Sequence, residues 1–285
     1  VKNIISVDDI SEKEIDNIYS LSASLKKDPS QKLLPGKTVA MIFEKPSNRT
    51  RVSFEVGMYQ LGGHAVSLSA GTVQVGVRES YADVARTLSR YVDGIILRTF
   101  EHKNVEELAK YASVPVINAL SDFEHPCQAL ADVFTMKEKG LGAKIVFVGD
   151  GNNVARSLNK LCKKVGMEFV LSCPKGYELE DCKVERDPFK AVKDADVIYT
   201  DVWASMGQEK EGKKREKAFK GYQVNGKLVS SAKKGSLVMH CLPAHRGLEI
   251  TGEALDGKSS IVFDQAENRL HVQKAVLVKL LGELL

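Results

Sequence analysis

The run Pro46-Ser47-Asn48-Arg49-Thr50-Arg51 puts two hydroxyls, an amide and two guanidinium groups where the sequence opens a helix. Helix N-termini carry orphan N–H donors and the positive end of the helix dipole, so they attract anions. Extra side-chain donors and fixed charges suit a phosphate dianion, whose oxygens a guanidinium can meet bidentately. Ser, Asn and Thr also cap helices routinely, so the same run is compatible with an ordinary N-cap and solvated arginines. Arg98 ends another apolar run and reads equally well as half of a structural ion pair. His125 precedes Pro126, which fixes the turn into a further helix and holds the imidazole in place. Gly149-Asp150-Gly151-Asn152-Asn153 invites a dinucleotide reading. However, Val154 stands where the third glycine of that fingerprint belongs, and Leu171-Ser172-Cys173, roughly 20 residues on, offers no acid to a ribose. Asp201 and Asn153 suit a zwitterion instead, carboxylate against ammonium and amide against carboxylate. His240-Cys241 is a candidate metal or nucleophile pair, although adjacent strand residues point to opposite faces, which makes joint ligation awkward.

These clusters need elements that hold them in place. Candidate strands are Thr38–Phe43, Ala65–Leu68, Gly94–Leu97, Val114–Ile117, Lys144–Val148, Glu168–Leu171, Asp196–Thr200, Ser236–Cys241 and Ile261–Phe263. Most are continuously apolar, as strands covered on both faces of a parallel sheet are. Helical patterns lie between them: Phe54, Met58 and Leu61 share a face that ends at Gly62-Gly63, and Ser80-x-x-Asp83 reads as a capping box. Such alternation is α/β, and parallel sheets carry their working residues just beyond the strands' carboxyl ends, where the clusters above fall. Nine strands are many for one open sheet. A split after the helix Cys127–Lys139, closed by Gly140-Leu141-Gly142, leaves four strands and five, hence two α/β lobes with a cleft between them. The expected domains are 1–135 and 136–267. Residues 268–285 have helical spacing (Val272, Ala275, Val276, Lys279, Leu280), and periodicity alone leaves open which lobe they cover.

Composition narrows the class. The 285 residues are 43% hydrophobic and 27% charged, which is ordinary globular stock. Forty-one Lys and Arg against 37 Asp and Glu give +4, too mild and too evenly spread for a nucleic-acid surface. No apolar run approaches the roughly 18 residues of a membrane span. Val1–Asp9 lacks a basic-then-apolar signal pattern, so a cytoplasmic protein is expected. The five cysteines are odd in number and form no CxxC pair, which argues against a disulfide framework or a Cys-rich zinc site. Four of the five read as small buried hydrophobes.

Taken in order, Ser47-x-Arg49-Thr50-Arg51, His125-Pro126-x-Gln128, Asp201-x-x-x-Ser205-Met206-Gly207 and His240-Cys241-Leu242-Pro243 resemble the aspartate/ornithine carbamoyltransferase family over nearly the whole chain. The first two motifs are shared across that family, and the last two resemble its ornithine-accepting branch. Phe263–Arg269 is similar to the family's closing segment. The resemblance implies a carbamoyl-phosphate site on the first lobe, an amino-acid site on the second, a final helix packed back on the first lobe, and a homotrimer or a multiple of trimers. It implies that Ser47, Asn48, Arg49 and Thr50 hold the phosphate, that Arg98, His125 and Gln128 contact the carbamoyl group or phosphate, and that Arg269 completes the pocket. Gln74 matches a residue donated by the neighbouring subunit. Asn153, Asp201, Ser205 and Met206 match ornithine contacts, and Cys241 with Leu242 line the point where the two substrates meet. Thr50, Arg98, His125 and Cys241 are the expected catalytic groups. Cys241, with Asp201 and His240, is the candidate acceptor of the amine proton. Neither cofactor nor metal is implied, and no nucleic-acid or membrane partner.

Two departures are modest. Asn48 replaces a commoner small or hydrophobic residue, and the connection around Lys137–Lys144 is short. The Lys- and Glu-rich segment Gly207–Phe219 is expected to be a flexible loop that orders over ornithine. Other amine acceptors are the nearest alternatives. Aspartate needs a further cation that Ser205-Met206-Gly207 does not offer, putrescine leaves Asn153 without an anion, and acetylornithine is to be separated by rate. A non-catalytic ligand-binding relative and a nicotinamide dehydrogenase are more distant ones.

Overall fold

The computed structural model describes residues 2–69, 75–76, 78–142, 144–205, 207 and 209–282; Gln74 and Met206, both singled out above, lie outside the described residues. The chain divides into two compact units, Val1–Ala131 with Glu267–Leu285, and Asp132–Ala266. Both divisions fall inside helices, Pro126–Glu138 and Val262–Leu281.

Unit 1 is built on a four-stranded parallel sheet in the order β2-β1-β3-β4, formed by β1 (Thr38–Phe43), β2 (His64–Ser69), β3 (Gly94–Arg98) and β4 (Val116–Leu120). β3 is buried at every position, and five of the six residues of β1 are, so the continuous apolar runs follow from cover on both faces. β4 starts two residues later than expected because Pro115 has no N–H for the ladder; its carbonyl still accepts from Ile95 N at 2.9 Å. The helices are α1 (Glu12–Lys27), α2 (Asn48–Gln60), α3 (Tyr81–Leu88), α4 (His102–Tyr111) and the first part of α5 (Pro126–Glu138). Ser11 and Glu14 form a reciprocal capping box on α1, and the Ser80 hydroxyl accepts from Asp83 N at 3.1 Å to start α3.

Unit 2 holds a five-stranded parallel sheet in the order β7-β6-β5-β8-β9: β5 (Lys144–Val148), β6 (Glu168–Ser172), β7 (Lys183–Val184), β8 (Val197–Thr200) and β9 (Leu237–His240). The expected strand Ile261–Phe263 is not one. Ile261 N donates to Val238 O at 3.0 Å, and from Val262 the chain is helical. The fifth strand is instead the two-residue edge strand β7, too short to leave a hydrophobic period. The helices are α6 (Asn153–Lys164), α7 (Pro188–Ala191), α8 (Gly212–Ala218), α9 (Gly226–Ser230), α10 (Gly252–Asp256) and the start of α11 (Val262–Leu281). α8 corrects the expectation of a loop over Gly207–Phe219: Arg215 is buried there and ties the segment down.

The greater part of α11 belongs to unit 1, as the resemblance implies. Its contacts explain why: Lys26 Nζ donates to Asn268 Oδ1 (2.8 Å), Lys274 Nζ to Gln60 Oε1 (2.9 Å) and Leu25 O (3.3 Å), and Lys279 pairs with Glu14 at 3.0 Å. Gly57 on α2 permits the close approach, since a Cβ there would stand 3.2 Å from Lys274 Cγ. None of the five cysteines is in a disulfide. Cys127, Cys162 and Cys173 are buried while Cys182 and Cys241 are half-buried, one fewer in the interior than expected. Among the described residues, no helix is long and apolar enough to cross a membrane.

Candidate active site

In unit 1 the strand order reverses between β1 and β3, and open parallel sheets bind ligands beyond the carboxyl ends of the strands at such a point. Phe43 and Arg98 are register partners there, so the chain leaving β1 toward α2 and the end of β3 lie side by side. Ser47 is the N-cap of α2, its hydroxyl accepting from Thr50 N at 3.3 Å, with Asn48, Arg49 and Thr50 forming the first turn. Thr50 is buried, and its hydroxyl accepts from Arg269 Nη2 at 3.0 Å, while Arg269 Nη1 donates to Gln128 Oε1 at 3.0 Å. Gln128 is in the first turn of α5, where Pro126 opens the helix and the His125 carbonyl accepts from Gln128 N at 3.1 Å. His125 is buried. Burial first, then the Arg269 and Arg98 guanidinium groups, push its pKa well below the ordinary value, so the imidazole is neutral. Thr50, Arg98, His125, Gln128 and Arg269 thus form one buried set beside the exposed-to-half-buried residues Ser47, Asn48 and Arg49.

Arg51 does not join them. It is exposed, and its Nε donates to Glu55 Oε1 at 2.9 Å in an i,i+4 pair, so one of the two charges expected of the motif belongs to the outer face of α2. Cys127 packs in the interior, where burial pushes its thiol up to about 12.

In unit 2 the order reverses between β5 and β8. Gly149 follows β5 with φ +153°, and a Cβ on Gly151 would stand 2.7 Å from Tyr177 O and 2.9 Å from Glu178 C. Tight turning and backbone packing therefore account for both glycines of the dinucleotide-like run. Asn152 caps α6 through Oδ1, which accepts from Val154 N (3.0 Å) and Ala155 N (3.1 Å), and its Nδ2 donates to Asp201 Oδ2 at 2.8 Å. Asp201 Oδ1 accepts from Val202 N at 2.8 Å, so the carboxylate is fixed just beyond β8, with Asn153 half-buried at the head of α6. Ser205 is half-buried in the segment that follows. Arg215 Nη1 ties that segment to the end of β5, donating to Asp150 Oδ2 (2.7 Å) and Trp203 O (2.9 Å). Burial raises the Asp150 pKa, against the pull of Arg215.

The expectation that His240 and Cys241 diverge fails because β9 ends at His240 and Cys241 is already outside the strand. Ligand atoms of Asp201, His240 and Cys241 lie within 4.8 Å of one another. Both nitrogens of His240 are nevertheless engaged. Leu242 N donates to Nδ1 (2.8 Å), which makes Nε2 the protonated nitrogen facing Glu249 Oε1 at 3.1 Å. That arrangement neither coordinates a cation nor relays a proton without being broken. Arg215, Glu249 and Asp132 brace these residues without any signal in the sequence, and Asn152 and Gln265 do so from within runs that gave them no role. Asn152 alone carried a local signal, an Asn placed directly before a helix.

Residues 2–138 match the carbamoyl-P binding domain of the aspartate/ornithine carbamoyltransferases, and residues 141–280 match the Asp/Orn binding domain. An ornithine carbamoyltransferase of Thermococcus kodakarensis is 52% identical over 305 aligned positions, covering 99% of this chain and 96% of the relative. A relative from Pyrococcus furiosus named as an anabolic ornithine carbamoyltransferase is 56% identical over 270, covering 88% of this chain and 86% of the relative. A solved structure of ornithine carbamoyltransferase from Pyrococcus furiosus superposes with a TM-score of 0.96 at 51% identity, covering 100% of this chain and 98% of that one. With fold, motif order and sequence in agreement from end to end, this chain belongs to the aspartate/ornithine carbamoyltransferase family.

Proposed function

We propose that the chain transfers the carbamoyl group of carbamoyl phosphate to the side-chain amine of L-ornithine, giving L-citrulline and phosphate in the biosynthetic direction. The observation that carries this reading is the buried set at the head of α2, where Arg269 bridges Thr50 and Gln128, and where burial, then the charges of Arg269 and Arg98, keeps His125 neutral. On this reading unit 1 is the carbamoyl-phosphate domain and unit 2 the ornithine domain, with the boundary inside α5 a few residues before the expected 135. The amine nitrogen attacks the carbonyl carbon, the carbon–oxygen bond to phosphorus breaks, and phosphate leaves with the bonding pair. Charge growing on the carbonyl oxygen meets Thr50, Arg98 and the N–H of neutral His125; one such preorganised donor is typically worth about 3–4 kcal/mol. Ser47, Asn48, Arg49 and the free N–H groups of α2 receive the phosphate, with Gln128 and Arg269 behind them, and the resemblance assigns Gln74 of a neighbouring subunit to the same pocket. Asp201 holds the α-ammonium, and Asn153, Ser205 and Met206 the remainder of the amino-acid end, which orients the amine. Cys241 and Leu242 line the meeting point. With His240 engaged at both nitrogens, Cys241, Asp201 and the departing phosphate are the acceptors left for the amine proton.

Initial rates with carbamoyl phosphate and a panel of ornithine, acetylornithine, putrescine and aspartate test the acceptor. Ornithine is expected to exceed each of the others at least a hundredfold in kcat/KM, and a higher value for any other amine refutes the assignment. The same reading makes the assembly a cytoplasmic homotrimer or a multiple of one; fully active monomers or dimers in light scattering would contradict that.

A further inference from the structure

Three buried polar side chains of unit 2, those of Asp132, Tyr199 and Gln265, form a hydrogen-bonded set that the mechanism above does not use. Asp132 on α5 accepts from Tyr199 Oη at 3.0 Å through Oδ2 and from Gln265 Nε2 at 2.7 Å through Oδ1. The same Nε2 reaches Tyr199 Oη at 3.0 Å, and Gln265 Oε1 accepts the backbone N–H of His240 at 3.0 Å. Asp132, Tyr199 and His240 are 0% exposed and Gln265 1%. Both amide hydrogens of Gln265 and its oxygen are thereby matched, which fixes the amide's orientation without ambiguity. Tyr199 is also stacked on Phe147, with ring centroids 5.1 Å apart. Burial, then the charge of Asp132, hold the phenol well above its ordinary pKa, so it stays a donor.

The position of this set is what matters. Asp132 is the first residue of unit 2 on α5, and Gln265 is one residue from its end on α11, so the set pins both crossing helices to β8 and β9. Gln265 bonds to the last residue of β9, immediately before Cys241 and Leu242. His240 then passes the constraint on, since its Nδ1 accepts from Leu242 N.

We propose that Gln265, held by Asp132 and Tyr199, is a positioning residue for carbamoyl transfer: it sets the His240–Cys241–Leu242 turn from the two helices that carry the chain between the units. The proposal rests on the ornithine reading above only for its kinetic arm. Gln265→Leu removes the acceptor and both donors. It should lower kcat at least tenfold while the KM for carbamoyl phosphate stays within twofold, a split that general loosening would not give. Gln265→Glu sets a carboxylate against Asp132 and should lose as much. Pairing it with Asp132→Asn relieves the carboxylate–carboxylate contact, because the introduced amide can donate to the introduced carboxylate, and the double variant should regain at least threefold in kcat over Gln265→Glu alone. A second readout needs no substrate: the alkylation rate of Cys241 by iodoacetamide, followed by mass spectrometry with half-buried Cys182 as internal reference. That rate should shift at least fivefold in Gln265→Leu and return in the double variant. Parent-like alkylation in Gln265→Leu, or a double variant that melts at the parent temperature yet regains neither readout, overturns the proposal. A parent protein that makes no citrulline overturns the acceptor assignment instead, and the alkylation rates then decide the positioning role.

Discussion

Arg49 and Arg51 stand two residues apart on the same turn of α2, yet the structure gives them different work. Arg51 is tied to Glu55 on the exposed face, while Arg49 sits half-buried beside the buried set and makes no ion pair among the described residues. Arg49→Lys should keep the fold but lose the planar fork. Charged hydrogen bonds are worth about 1.5–3 kcal/mol each, so the KM for carbamoyl phosphate should rise roughly tenfold to a hundredfold. Arg51→Ala should change it less than twofold, and the reverse ranking in steady-state kinetics would refute the assignment. His125 yields a pH prediction whose sign follows from its depressed pKa. The unfolded chain takes up a proton near pH ~6.5 and the folded chain does not, so this residue's contribution to stability is full above that pH and is lost as pH falls below it. Compared with His125→Gln by denaturant unfolding, the parent should lose relative stability below pH ~6.5 at up to about 1.4 kcal/mol per pH unit. A constant difference between pH 7.5 and 5 would contradict a buried neutral imidazole.

Among the elements, the β5–α6 turn joins a helix cap to the carboxylate proposed to hold ornithine. Asn152 caps α6 and, through its other amide atom, fixes Asp201 at the end of the neighbouring strand. Asn152→Ala should therefore cost about 1 kcal/mol of stability from the lost cap. It should also raise the KM for ornithine several-fold, leaving carbamoyl-phosphate affinity, measured by calorimetry, unchanged. Equal losses for both substrates would break the link between this turn and the amino-acid end. Strands such as Thr38–Phe43 and Lys144–Val148 were legible to the residue because burial on both faces leaves an uninterrupted apolar run. Ile261–Phe263 has the same local composition but opens α11, and Lys183–Val184 is a strand only because β6 lies beside it. In both cases tertiary placement overrode the local pattern. Gly212–Ala218 became a helix for the same reason: the buried Arg215–Asp150 pair organises a segment whose composition reads as solvated.

At the scale of the whole molecule, the parallel α/β units and the residues at their strand ends could be read from sequence order alone, because parallel topology places chemistry at carboxyl ends. The braces behind those residues could not. Asp132 and Gln265 are separated by 133 residues, and no period in the chain announces that they meet. Strand-end position and the family resemblance therefore named the groups proposed to touch substrate, while most of those that orient them left no local signal. In the proposed reaction the head of α2 grips the phosphate of an activated carbamoyl donor while the β5 and β8 ends receive ornithine. A crystal structure with a phosphonate bisubstrate analogue of that pair distinguishes this arrangement from any other. The phosphonate should lie within hydrogen-bonding distance of Arg49 and the first-turn N–H groups of α2, with the amino-acid end against Asn153 and Asp201. A phosphonate bound anywhere else, or an inverted analogue, would contradict it.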